Sequence, residues 1–256
     1  MSRFNDTLKE IKIKDLAIFI IVSYLILFVL GKFSGIINEK WIYVAVILYF
    51  IYKLKDYSAD FKEDLLNVFS SISVKTVLLI VFANILFSYG MLYLSNFLIG
   101  YFPFLNFLVN FSIPSMSIMS SLPVIGVFIS TVILSPIAEE LIFRGVLINR
   151  LKLITPTLFA VLISSLLFGA LHSFGSIFSA FVFAVCMAIL YLKTENICVP
   201  ILAHFLNNLF AETIRLADVN ELLFSDANVM MIVSALAIIS AIILFFSIFN
   251  ELNNLK

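Results

Sequence analysis

Long apolar runs, separated by short polar ones, occupy 16–30, 41–52, 76–99, 123–147, 157–173, 177–192, 198–214 and 229–249. A hydrocarbon core about 30 Å thick takes roughly 20 apolar residues as a helix, so these runs predict eight membrane-crossing helices. The second run is short and either extends back through Ile36 and Ile37 or stands nearly upright. Between the third and fourth lies 102–121, apolar but broken by Pro103 and Pro114, which predicts an interfacial or re-entrant piece. The longest polar stretch, 53–67, is too short for a soluble domain. The expected fold class is all-α: a polytopic membrane protein of about eight transmembrane helices.

Composition agrees. Of 256 residues, 62% are hydrophobic and only 12% charged, against about half and a quarter in a soluble domain. Sixteen basic residues balance sixteen acidic ones, which argues against a nucleic-acid partner and leaves membrane lipids as the constant one. Placement of the basic residues says more than their sum. Arg3, Lys9, Lys12 and Lys14 precede the first run, and Lys53, Lys55, Lys62 and Lys75 follow the second. Arg150 and Lys152 follow the fourth, Lys193 the sixth and Lys256 the eighth, whereas the opposite side holds Lys32, Lys40 and Arg215. By the positive-inside rule both termini are cytoplasmic, which requires an even number of spans. The lysine-rich loop around 53–64 is expected to touch lipid headgroups. The first run leads to Gly31-Lys32 without a small-residue cleavage site, so it reads as a retained anchor. Cys186 and Cys198 lack CxxC spacing and read as small buried hydrophobes.

Ionisable groups inside a membrane are costly unless they pair, face a cavity or do chemistry. Here they concentrate in three segments. In the fourth run, Glu140 and Arg144 stand at i and i+4, the favourable order for an ion pair within a helix. That pair explains itself as a structural clamp, and Gly145 beside it lets a neighbouring helix come close. Glu139, rotated away, is left needing another reason. The fifth run ends in His172, with Phe168 one turn earlier on the same face to wall its pocket. The seventh places His204 and Asn208 on one face.

Glu139, His172 and His204 match the ligand set of a catalytic zinc with water in the open position. Without metal, Glu139 can serve as general base on a water oriented by His172, while His204 and Asn208 donate to an oxyanion. Both versions are hydrolytic, and the sequence leaves both open. Other membrane-protease chemistries fit poorly: there is no HExxH, no GxSG and no aspartate within a predicted span. At a rise of about 1.5 Å per residue, His172 lies roughly 10 Å deeper along its run than Glu139 and His204 along theirs. The fifth helix is therefore expected to tilt strongly or to begin outside the hydrocarbon.

At these residues the chain resembles the CPBP family, which includes CAAX prenyl endopeptidases and the bacteriocin-processing or immunity (Abi) proteins. EExxxR is matched by Glu139, Glu140 and Arg144, FxxxH by Phe168 and His172, and HxxxN by His204 and Asn208, in that order. The resemblance implies a catalytic core over 123–215, preceded by N-terminal spans over 1–122 and followed by an external loop and final helix over 216–256. It also implies a buried conical cavity in which Glu139 and His172 activate water and His204 and Asn208 hold the oxyanion. Members are called metalloproteases, which makes Zn2+ the cofactor to test. A composition rich in Phe, Ile, Leu and Asn with few Gly suggests an AT-rich bacterial genome. The implied function is an intramembrane endopeptidase acting on a membrane-embedded, lipidated or leader-peptide substrate. The alternative is a non-catalytic membrane regulator or bacteriocin self-immunity protein on the same fold.

Overall fold

The computed structural model describes residues 2–34, 40–102, 104 and 124–254, and among these there is no strand. The expected interfacial piece over 102–121 falls outside them except at Phe102 and Phe104, as does Lys256. The helices run in the order α1 (Arg3–Glu10), α2 (Ile13–Ser34), α3 (Trp41–Leu54), α4 (Ser58–Leu66), α5 (Val68–Ser71) and α6 (Val74–Tyr101). After the gap come α7 (124–151), α8 (Thr157–Ala170), α9 (Ile177–Thr194), α10 (Cys198–Ala217), α11 (Leu222–Ser225) and α12 (Ala227–Asn254). This is a multi-pass, all-helical membrane protein.

Each of the eight apolar runs forms a helix, but not all are equally fit to cross a bilayer. Ile13–Phe33, Val74–Tyr101, Ile125–Leu151, Phe174–Thr194 and Ala227–Asn253 are long and apolar enough among the described residues. With 14 residues each, α3 and α8 reach about 21 Å, short of a 30 Å core. At 20 residues α10 is long enough, but His204, Asn207, Asn208, Glu212 and Arg215 interrupt its apolar run. Among the described residues five helices thus have the length and composition of a crossing and the expected eight is not confirmed, because three of the helices are short or built around the polar site. The fifth run also stops early: α8 ends at Ala170, and His172 sits in the turn before α9.

Ile18, Ile21, Leu25 and Phe28 of α2 face outward, as befits a helix solvated by lipid. The core gathers around α9, which is buried continuously from Val182 to Tyr191. Gly169 lets α8 approach α9: a Cβ there would lie 2.9 Å from the Ile177 carbonyl oxygen and 3.2 Å from Phe181 Cβ. Gly145 admits α1 to α7, its imagined Cβ standing 3.3 Å from both methyls of Leu8. The close neighbour expected at Gly145 is therefore the amphipathic first helix.

Chain segments that the charge bias assigns to one side meet at one end of the bundle. The Arg150 side chain donates from Nε to the Ile11 carbonyl at 2.8 Å, and from its Nη2 to that of Glu10. Asp64 of α4 accepts from Asn5 Nδ2 at 2.7 Å and from the Ser2 hydroxyl. Asn196 donates to the Asp64 carbonyl at 2.8 Å, and the Ile197 amide donates to Asn5 Oδ1 at 3.2 Å. Lys193 pairs with Glu251 at 2.9 Å. Burial raises the Asp64 carboxyl above its ordinary range, against the hydrogen bonds from Ser2 and Asn5 and aided by nearby Asp60 and Glu63.

Candidate active site

The site forms where α7 crosses α10 beneath the end of α8. Helix α7 is irregular for a readable reason. Pro136 has no N–H to donate and cannot continue a regular ladder. The hydrogen bonds widen to a π turn over Ser130–Leu134, with the Ser135 amide reaching back to the Ser130 carbonyl. One α-helical stretch, Ser135–Glu140, holds the two acids, and a second π stretch, Leu141–Leu147, holds Arg144. Such π segments gather at functional sites, and here they set the direction in which three charged side chains leave the helix.

The adjacent acids have different fates. Glu140 is fully buried, and its Oε1 accepts from Arg144 Nη1 at 3.1 Å and from His204 Nδ1 at 2.8 Å. Arg144, 1% exposed, also donates from Nη2 to the Ala184 carbonyl of α9 at 3.0 Å. The predicted ion pair is present, but it does more than clamp one helix. Through Glu140 it fixes the ring of His204, and through Ala184 it ties α7 to α9. The sequence reading missed this role of Glu140, because the contact with His204 spans 64 positions.

Glu139 keeps 16% of its side chain exposed, so it is the acid that a substrate or water can reach. Its Oε1 accepts from the Ser135 hydroxyl, one turn earlier. Its Oε2 faces His204 Nε2 across 3.9 Å, too far for a direct hydrogen bond. His204 is thus bracketed by both acids of the EE pair, Glu140 at Nδ1 and Glu139 at Nε2.

His172 reaches the same place from the turn after α8. Its Nδ1 lies 3.0 Å from the Phe168 carbonyl, an acceptor only, so Nδ1 carries the proton and the neutral ring keeps its lone pair on Nε2. Phe168, 1% exposed, joins the parts: its ring centroid is 4.8 Å from that of His172, 5.9 Å from His204 and 4.9 Å from the Arg144 guanidinium carbon. Glu139, Arg144 and His204 all lie in electrostatic range of His172.

Asn208 sits a turn beyond His204 and donates from Nδ2 to the Thr131 carbonyl of α7 at 2.9 Å. Its Oδ1 accepts from Asn207 at 3.3 Å, and Asn207 accepts from Asn84 of α6 at 3.0 Å. Asn84, Asn207 and Ser135 escaped the sequence reading. A buried asparagine in an otherwise apolar run is the signal that could have drawn attention to Asn84, which is 4% exposed. Among the described residues no three His, Cys, Asp or Glu side chains converge as a metal-holding group. Glu139 Oε2 and His204 Nε2 stand 3.9 Å apart, and His204 Nδ1 is already taken by Glu140. No step below is routed through a metal.

Residues 120–210 match the family model for type II CAAX prenyl endopeptidase Rce1-like proteins. This segment is a CAAX-protease-family, Rce1-like domain. All seven motif residues from Glu139 to Asn208 fall inside it. Over 104 residues the chain is 36% identical to the "Putative membrane peptidase YdiL" of Bacillus subtilis (strain 168), a match covering 40% of this chain and 42% of that protein. The alignment therefore spans less than half the length of that curated relative. No solved structure matches the chain. The Rce1-like domain contributes α7 to α10 up to residue 210, whereas Asn84 comes from outside it.

Proposed function

We propose that the protein is an intramembrane endopeptidase that hydrolyses a peptide bond in a membrane-embedded, lipidated or leader-peptide substrate. The observation that supports this reading is the gathering of His172 and His204 against Phe168, with the partly accessible Glu139 facing His204 and the sealed Glu140 and Arg144 behind them. A water between Glu139 and His172 gives one proton to the carboxylate and its second hydrogen bond to His172 Nε2. Its oxygen then attacks the scissile carbonyl. The proton held on Glu139 passes to the leaving amine as the C–N bond breaks, so the carboxylate is regenerated.

The oxyanion needs donors, and His204 and Asn208 are suited to supply them. Asn208 Nδ2 has a second N–H beyond the one given to Thr131. A proton on His204 Nε2 would make that ring a donor too, and the Glu140 carboxylate on Nδ1 would support the charge, much as a triad aspartate supports its histidine. Placing both donors in a low-dielectric site strengthens them. The match to an Rce1-like domain supports peptidase chemistry in general, and the apolar surroundings support a membrane-borne substrate. The apolar helices support a cell-membrane location, the bacterial relative supports a bacterial one, and the distribution of basic residues, with an even number of spans, supports both termini in the cytoplasm.

Comparative membrane proteomics of cells carrying wild type or Glu139→Ala at matched expression tests the assignment. Fragments cut in or beside an apolar segment, present with wild type and absent with the variant, are expected. Identical fragment patterns, with the variant still complementing a deletion, would overturn the catalytic reading in favour of a membrane regulator or immunity protein.

A further inference from the structure

An oxyanion donor works only if it cannot turn away. His204 is held at Nδ1 by Glu140 at 2.8 Å, but Asn208 carries a primary amide, whose terminal torsion is broad and roughly two-fold. Turned over, it would aim a carbonyl oxygen at the developing negative charge. Three hydrogen bonds in a row oppose that turn. Asn208 Nδ2 donates to the Thr131 carbonyl at 2.9 Å, Asn207 Nδ2 to Asn208 Oδ1 at 3.3 Å, and Asn84 Nδ2 to Asn207 Oδ1 at 3.0 Å. The Thr131 carbonyl can only accept, and this sets the sense of the whole row. Each amide must donate to the next, and reversing one would set like against like.

The head of the row is Asn84, 4% exposed in the middle of α6. Helix α6 packs along α12 and against α10, and on the α10 side the ring centroids of Phe82 and Phe210 come to 5.1 Å. The backbone that carries Asn84 is therefore held from two sides. Asparagines that bond across membrane helices also act as glue, but Asn84 is poorly made for glue alone. Its Oδ1 is buried and accepts nothing among the described residues, a cost that an apolar side chain of similar size would avoid.

We infer that Asn84 is a positioning residue for the hydrolysis: acting through Asn207, it fixes Asn208 with its free N–H towards the oxyanion. This rests on the endopeptidase reading above. It also brings α6, which ends before the Rce1-like segment begins at 120, into the apparatus. The N-terminal half then does more than anchor the domain, since it supports a reacting group from behind.

Full-length wild type, Asn84→Leu, Asn207→Leu, Asn208→Ala and the double variant Asn84→Leu/Asn208→Ala should be compared in phosphatidylethanolamine–phosphatidylglycerol vesicles. The probe is a quenched-fluorescent peptide with three residues beyond a farnesylated cysteine. Asn84→Leu is expected to lower kcat about 10-fold, less than the roughly 10²–10³-fold for losing an oxyanion donor outright, with KM within about two-fold. Asn207→Leu, which breaks the middle link, should match it and stands in should Asn84→Leu fail to fold. In the Asn208→Ala background Asn84→Leu should cost nothing further, because residues that act through one another are not additive. Equal kcat in wild type and Asn84→Leu overturns the inference, and so does a full additional loss in the double variant.

A second measurement needs no turnover. With ¹⁵N-asparagine labelling, the side-chain amide resonance of Asn208, assigned by its loss in Asn208→Ala, should move in Asn84→Leu. An unmoved resonance overturns the role of Asn84 even if the peptide is never cleaved. A moved resonance, in a protein whose wild type leaves the peptide intact, supports the row of amides and counts against the endopeptidase reading instead.

Discussion

Replacing Glu140 with leucine removes the carboxylate that holds both Arg144 and His204. The Arg144 guanidinium, 1% exposed, would keep its bond to the Ala184 carbonyl but lose its counter-charge. Removing one partner of a buried ion pair costs about 3–5 kcal/mol, and a lone charge within the membrane is comparably unfavourable. The double variant Glu140→Leu/Arg144→Met replaces both partners by apolar groups of similar volume, a change often neutral or stabilising by about 1–4 kcal/mol. Stability should therefore fall in the single variant and largely return in the double. Activity should not return, because His204 Nδ1 has lost its 2.8 Å anchor in both; loss of the comparable aspartate in a triad lowers kcat about 10⁴-fold. Unfolding in mixed micelles gives the first quantity, and cleavage of a quenched-fluorescent peptide with three residues beyond a farnesylated cysteine gives the second. A double variant less stable than the single would refute the ion-pair account. Full activity in either would refute the positioning of His204 by Glu140.

Three further outcomes follow from the geometry. Folded Asp64 holds its proton more tightly than the unfolded chain, because burial raises it above the ordinary 3.8; its contribution to stability should therefore grow as pH falls from neutral towards about 4. Asp64→Asn should be more stable than wild type at pH 7, with the gap closing at acid pH in thermal unfolding; a gap that widens on acidification would refute this. Gly169→Ala sets a Cβ 2.9 Å from a backbone carbonyl and should cost about 1–3 kcal/mol by overpacking, with kcat lowered because Phe168 and His172 flank that contact. A melting temperature equal to wild type would contradict it. With Glu139 acting as the base and no metal in the step, EDTA should leave cleavage within about two-fold of untreated enzyme, and loss that added Zn2+ restores would put a metal into the mechanism.

The helical content, the polytopic character and the candidate polar residues of the site were all legible in the chain, because each rests on local information. A bilayer demands unbroken apolar runs, and it makes an embedded Glu139 or His172 conspicuous by cost alone. The i,i+4 pairing of Glu140 with Arg144 is equally local, fixed by helical geometry before any tertiary contact exists. What the sequence could not supply depended on which helices meet. That Glu140 is sealed and shared with His204 while Glu139 stays accessible is decided by the crossing of α7 and α10, and two adjacent glutamates look alike until a neighbour covers one of them. Which helices can cross was not settled by apolar runs alone, because α10 carries the polar site and α8 stops short, with its histidine in the turn beyond. Asn84 reaches Asn207 across 123 positions. No periodicity records such contacts, since a side chain's partner across the bundle is chosen by packing.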